Sequence, residues 1–265
     1  MTSSLFTDMP AIPEHPILAV RIHAGFNANV FLGGLLSLMG ITGGLAGVML
    51  RQHFPALELA ADVVRLETRA VNGIAGASLS MNLPREGHIH RHPGDILAIY
   101  DESALSSEAK AMAASVWEVL ARAEARVHGT SPEMVHFHEV GRMSNILAVG
   151  LAAHCLSLIK PAAIAASPLP MTDGEILCAH GIVPYPAPAL FSMLDGVAVR
   201  PYGGDGEPVT PTGLAILKGL GAKFGAWPKM TVTAAVTAFA PAVFSGTPNG
   251  TLFLMGQTLP AVEEA

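Results

Sequence analysis

"AGFNANVFLGGLLSLMGITGGLAGVML", residues 24–50, carries no charged side chain from end to end. About 20 consecutive apolar residues suffice to cross a bilayer, so the stretch is long enough to be a membrane span. Its interior argues otherwise. "GITGG" (40–44) interrupts it, and Asn27, Asn29 and Ser37 place amides and a hydroxyl within it. The spacings of Gly40 with Gly44 and Gly43 with Gly47 are those of paired membrane helices. They also suit a tight turn between two short buried helices. The second reading is preferred: a helix over 29–40 ended by Gly40, then another over about 44–53, both in a core. The run lies too far into the chain, and lacks the basic flank, for a secretory signal.

The neighbouring segments extend this reading. "PILAVRIHA" (16–24) reads as a buried strand, and "ADVVRLETRAV" (61–71) and "GASLSMNL" (76–83) as two more. The clearest helix is 106–129, whose apolar positions Ala109, Met112, Ala113, Val116, Leu120, Ala123 and Val127 follow the helical period, with Gly129 closing it. Another apolar helix is predicted over about 145–159. Strand-like "AAIAASPLP" (162–170) and "GEILCAHG" (174–181) follow, then a proline-rich loop with a short helix, then a helix in "TPTGLAILKGL" (210–220). The last forty residues read as short strands and turns. Intermixed strands and helices without repeats predict an α/β (or α+β) fold, a mixed sheet with flanking helices. No internal boundary is visible, so 1–265 is read as one unit.

Composition narrows the function classes. The 265 residues, 51% of them hydrophobic, are ample for one sizeable core. A net charge of −6 with 14% charged residues is not the basic face of a general nucleic-acid binder. Cys155 and Cys178 match neither a disulfide framework nor a CxxC zinc spacing. The expectation is a cytoplasmic protein with no nucleic-acid or membrane partner. There is no GxSxG elbow, no Walker A loop and no GxGxxG after a strand.

Two histidine segments carry the chemistry. In "VHFHEVG" (135–141), extended backbone would place His136 and His138 on one face, with Glu139 next. In "HIHRHPGD" (88–95), His88, His90 and His92 alternate in the same way, with Asp95 close behind. Imidazoles from both segments, with a carboxylate from Glu139 or Asp95, would make a nitrogen and oxygen metal site. His88, His90, His136 and His138 are the candidate ligands, and Glu139 is the candidate catalytic group. A lone histidine more often bonds backbone in a loop; five in two alternating sets favour metal or phosphate. Glu124 and His128 sit one helical turn apart, where His128 would complement the helix dipole. In "GEPVTPTGLAILKGL" (206–220), Thr210 can cap a helix with Pro211 in its first position. Such a terminus readily receives phosphate, so Thr210, Thr212 and Gly213 are candidate cofactor-binding residues, with His180 as a fourth.

"HIHRHPGDI", "AEARVHG", "VHFHEVG", "AHGIVPYPAPA" and "EPVTPTGLAIL", in this order and spacing, resemble the N-terminal domain of the LarC family of nickel-insertion proteins. The resemblance runs from about residue 17 to 256. It implies a lyase- or chelatase-type activity that uses CTP and a divalent metal to insert nickel into a pyridinium bis-thiocarboxylic acid mononucleotide. The product implied is the nickel-pincer nucleotide cofactor. The implied partners are that precursor nucleotide and a separate chain like the family's C-terminal domain; homo-oligomerisation stays open.

The departures from the family pattern are specific. Asn29 stands where the family has aspartate, and Ser144 and Ala148 replace two more. "VTAFA" (236–240) replaces a glycine-rich "GYGAG", and no arginine follows Pro248-Asn249. Loss of three carboxylates removes hard oxygen ligands that a Mg²⁺ or Mn²⁺ site would use. Two alternatives therefore stand beside nickel insertion. One is a catalytically degenerate paralogue that binds metal or a phosphorylated ligand as a scaffold. The other is a His-x-His metal-dependent hydrolase with Glu139 as base.

Overall fold

The computed structural model describes residues 12–87, 90–178 and 181–259. In it the uncharged stretch forms two helices, α1 (Ala28–Leu38) and α2 (Gly43–His53), bent 112° to one another. Asn27 starts the first: its Oδ1 accepts from Val30 N at 3.0 Å. Gly40, in the left-handed region, turns the chain between them. Nearly all of α1 is buried. Among the described residues no single helix is long and apolar enough to cross a membrane.

The strands are β1 (Ile17–Ala24), β2 (Val64–Val71), β3 (Ile74–Met81), β4 (Ala163–Ala166), β5 (Leu169–Met171), β6 (Gly174–Cys178), β7 (Gly181–Tyr185), β8 (Val199–Pro201), β9 (Lys223–Phe224), β10 (Met230–Ala238) and β11 (Gly250–Thr258). Seven of them form a mixed sheet in the order β2-β3-β10-β11-β1-β4-β9. The apolar run of β1 suits its central place, antiparallel to β11 and parallel to β4, which in turn runs parallel to β9. Asn72 and Gly73, both at positive φ, join β2 to β3 by the two-residue turn that matches strand twist.

The remaining helices are α3 (Pro93–Asp101), α4 (Ser107–His128), α5 (Met143–Ile159), α6 (Pro188–Ser192) and α7 (Pro211–Gly219). The fold is α/β, as expected, and several local expectations change. The stretch 162–170 splits at Ser167-Pro168 into β4 and β5, which belong to different sheets. The proline-rich segment contains β7, which pairs with β6 from Gly174↔Tyr185 to Cys178↔Gly181; Pro184 fits because a two-stranded ribbon is all edge. The final forty residues hold two nine-residue strands, not short ones, whose pairing carries the register shift between Val232 and Ala234. Helix α3, where only a break in the pattern is visible, starts with Pro93 and is closed by Asp95, whose Oδ2 accepts from His92 N at 2.8 Å.

A buried polar chain ties three helices together. Trp117 Nε1 of α4 donates to Tyr100 Oη of α3 at 2.8 Å, and that hydroxyl donates to Ile146 O of α5 at 2.8 Å. Every member is satisfied, so the chain fixes the helices in register. Phe137, fully buried, packs on Trp117 at 5.4 Å between ring centroids. This contact anchors the segment that carries His136 and His138. Cys155 is fully buried in α5, and burial pushes its thiol up to about 12.

Candidate functional site

The two histidine segments meet. Arg91 and Phe137 form an antiparallel bridge, with Phe137 N donating to Arg91 O at 2.8 Å and Arg91 N to Phe137 O at 3.3 Å. Alternation then puts His90, His92, His136 and His138 on one side and the Arg91 and Phe137 side chains on the other. The ring centroids lie 4.1 Å apart for His92 and His136, 5.0 Å for His90 and His138, and 6.1 Å for His90 and His136. His90 and His136 are exposed, His92 and His138 half-buried. His88 and His180 lie outside the described residues. Among the described residues no three His, Cys, Asp or Glu side chains are already arranged to hold a metal ion.

The far side of the bridge fixes its position. The Arg91 guanidinium pairs with Glu86 at 2.5 Å and donates to Gly141 O at 2.6 Å. The other Glu86 oxygen accepts from Met143 N at 2.8 Å and so closes the start of α5. One carboxylate thereby holds the segment 86–92, the segment 136–141 and a helix N-terminus together. Neither Glu86 nor Arg91 stands out in the sequence, because their partners are 57 and 50 residues away.

His138 and Glu139 also belong to a cavity of about 580 Å³. Its floor is built from helix starts. Phe26 N donates to Pro208 O at 2.9 Å and Thr210 N to Phe26 O at 3.0 Å, which sets the first turns of α1 and α7 side by side. Asn27 and Asn29 line the cavity from α1, Thr210 and Thr212 from α7, and Asn145 from the start of α5. N-termini carry the positive end of the helix dipole, so this floor favours an anion. Thr210 Oγ1 accepts from Gly213 N at 3.1 Å, as the capping reading requires. Gly213 is otherwise a packing position: a Cβ there would stand 2.8 Å from Phe26 O. The hairpin β6–β7 contributes Ile176, Leu177 and Val183 as an apolar wall.

Carboxylates complete the rim. Glu124 and His128, from the end of α4, line the cavity 3.5 Å apart, so the pair is more than a surface complement to the helix dipole. Glu139 sits beside His138, and its carbonyl accepts from Asn145 Nδ2 at 3.3 Å. Glu207 is a site residue the sequence reading missed: burial pushes its carboxyl up to about 7. Its one signal was its place three residues before the capping Thr210. Asn29 keeps a buried Oδ1 with no hydrogen-bond partner among the described residues. The replaced acidic positions part company: Asn29 lines the cavity, whereas Ala148 is fully buried in the core.

The family described as nickel insertion protein matches residues 18–264. A putative nickel insertion protein of Geotalea uraniireducens is 36% identical over 235 residues, covering 88% of this chain and 59% of that protein. One of Geobacter metallireducens is 39% identical over 192 residues, 72% of this chain and 49% of that protein. The pyridinium-3,5-bisthiocarboxylic acid mononucleotide nickel insertion protein of Acetivibrio thermocellus is 37% identical over 227 residues, 82% of this chain and 54% of that protein. The chain thus spans between about half and three-fifths of the length of these relatives. No solved structure matches it.

Proposed function

This chain belongs to the nickel insertion protein family, and from that premise we propose that it takes up nickel and delivers it to a pyridinium bis-thiocarboxylic acid mononucleotide. The observation that carries the reading is the continuity of the imidazole face with the cavity, since His138 belongs to both. Nickel is the cargo. His90, His136 and His138, with His88 of the same alternating set, offer it neutral imidazole nitrogens, which suit Ni²⁺. The thiocarboxylate sulfurs of the nucleotide are softer donors, so the ion passes from nitrogen to sulfur. The helix starts at Asn27 and Thr210 hold the anionic end of the nucleotide, and the Glu139 carboxylate beside His138 offsets the charge of the ion during transfer.

The chain's residues do not fit a second, resident divalent cation. Among the described residues no three of the cavity's carboxylates and imidazoles stand close enough together to hold such an ion, and burial raises the Glu207 carboxyl to about 7.

The test is nickel titration of the intact chain and of a His136→Ala/His138→Ala variant, followed by transfer to the mononucleotide. Transfer is assayed with and without CTP and the portion of a relative that this chain does not span. The expected result is nickel binding weakened by about 100-fold in the variant, with transfer lost. Equal affinity in the two proteins would sink the ligand assignment. Binding without transfer under any arm would leave the scaffold reading.

A further inference from the structure

A second pocket, away from the histidine face, contains a charge that nothing in the proposed function uses. Arg21, in the middle of the sheet on β1, is only 9% exposed. Its Nη1 donates to Gly225 O at 3.0 Å and Ala226 O at 3.2 Å, and its Cζ lies 4.8 Å from the centre of the Trp227 ring. Among the described residues no carboxylate pairs with it, and its Nε and Nη2 N–H groups meet no acceptor. A buried guanidinium without a counter-charge is expensive, and buried polar groups in folded proteins are almost always paired.

A second guanidinium stands beside it. Arg200, half-buried at β8, donates through Nη2 to Ile22 O at 3.1 Å and through Nη1 to Pro201 O at 3.3 Å, and likewise has no carboxylate partner among the described residues. His23 shares a face of β1 with Arg21, two residues on. Together these groups, with Ser167 and Trp227, line a cavity of about 340 Å³. Burial and then Arg200 hold the Arg21 guanidinium below its ordinary value. Burial, then Arg200 and Arg21, do the same to His23. The fold therefore keeps like charges together in partial isolation from water. The backbone carbonyls fix where each fork points and leave its other N–H groups available.

The location is that of a ligand site. β1, β4 and β9 run parallel, and much of the lining comes from their carboxyl ends: Arg21 and His23 near the end of β1, Ser167 just past β4, Trp227 shortly past β9, with Arg200 added from β8. In open sheets with parallel strands, ligands bind outside those ends. We propose that this pocket binds a phosphate group, received by the Arg21 and Arg200 forks with the exposed Trp227 indole at its side. Guanidinium forks match phosphate oxygens bidentately, which a single ammonium does not. The phosphate is either inorganic or the monoester of a nucleotide.

The inference does not rest on nickel handling, and its test is separate. The intact chain is titrated at constant ionic strength with inorganic phosphate and, in parallel, with nicotinic acid mononucleotide. Trp227 fluorescence and thermal midpoint are the two readouts. The expected result is a saturable change with at least one of them, its fluorescence part absent in Trp227→Phe. Affinity falls by about tenfold or more in Arg200→Gln, with Arg200→Lys intermediate. Saturation by phosphate identifies the free anion; saturation by the mononucleotide alone identifies the ester. The proposal is overturned if neither ligand saturates or if Arg200→Gln binds like the parent.

Discussion

At the scale of single residues, two side chains of the cavity beside the histidine face are set by opposite forces. Asn27 is stabilised by what it makes: its amide oxygen closes the first turn of α1 on Val30 N. Asn27→Ala should lower stability by about 1 kcal/mol in urea unfolding, and Asn27→Asp should restore most of it. Glu207 is defined by what it lacks, since burial lifts its carboxyl from 4.5 to about 7. The folded state then holds a proton that the unfolded state has released, so stability falls as pH rises between those values. Relative to Glu207→Gln, the parent should lose roughly 2–3 kcal/mol from pH 4.5 to 7.5, measured as the difference in urea midpoints. A flat difference would mean that the carboxyl is solvated. Thr210 was readable in advance because a capping residue, proline and glycine follow a local rule. Glu207 was not, because its burial is produced by segments remote in sequence.

At the scale of elements, the site depends on one cross-chain bridge and one helix-to-sheet contact. Phe137 reaches the core beside Trp117, and this turns its two flanking histidines outward. Phe137→Ala should cost about 3–5 kcal/mol and also weaken nickel binding, although the residue touches no metal. Phe137→Leu should keep the binding at a smaller loss of stability. Calorimetric titration beside urea unfolding separates the two effects. Helix α1 lies against the sheet at Gly34, where a Cβ would stand 2.4 Å from the Phe253 ring. Gly34→Ala should therefore destabilise by about 1–3 kcal/mol, and Phe253→Leu in the same chain should recover part of it. The glycines of "GITGG" read as turn signals, and that much was visible, whereas the close approach at Gly34 was not. Alternation in "HIHRHPGD" and "VHFHEVG" was visible too, and it predicted the common face within each segment. Their mutual pairing was not, because Arg91 and Phe137 carry no mark of each other. The hairpin β6–β7 was hidden for another reason: Pro184 argues against a strand except at an edge, and edges are properties of the assembled sheet.

At the scale of the whole molecule, two buried titrations oppose one another. His154, stacked on His53 at 3.9 Å between centroids, is held down to about 4 by burial and then by that neighbour. For a base so depressed the unfolded state binds the extra proton, so its contribution to stability rises with pH between about 4 and 6.5. Glu207 contributes the reverse slope, and between 4.5 and 6.5 the two offset. Glu207→Gln should therefore make the protein more acid-labile than its parent, and Glu207→Gln/His154→Leu should return a shallow profile. Unfolding midpoints at four pH values would decide it; an unchanged acid limb in the single variant would rule the coupling out. The amino-acid sequence by itself determined the helix pair in place of a span, the α/β class, the capped start of α7 and the histidine alternation. All of these follow from side-chain period, capping chemistry and turn residues within a few positions of each other. Only the tertiary structure decided that the two histidine segments share a face, that three helix starts floor one cavity, and that Arg21 lies buried with no carboxylate partner among the described residues. Those facts depend on burial and on partners up to 205 residues apart, and desolvation belongs to the packed chain rather than to any local stretch of it.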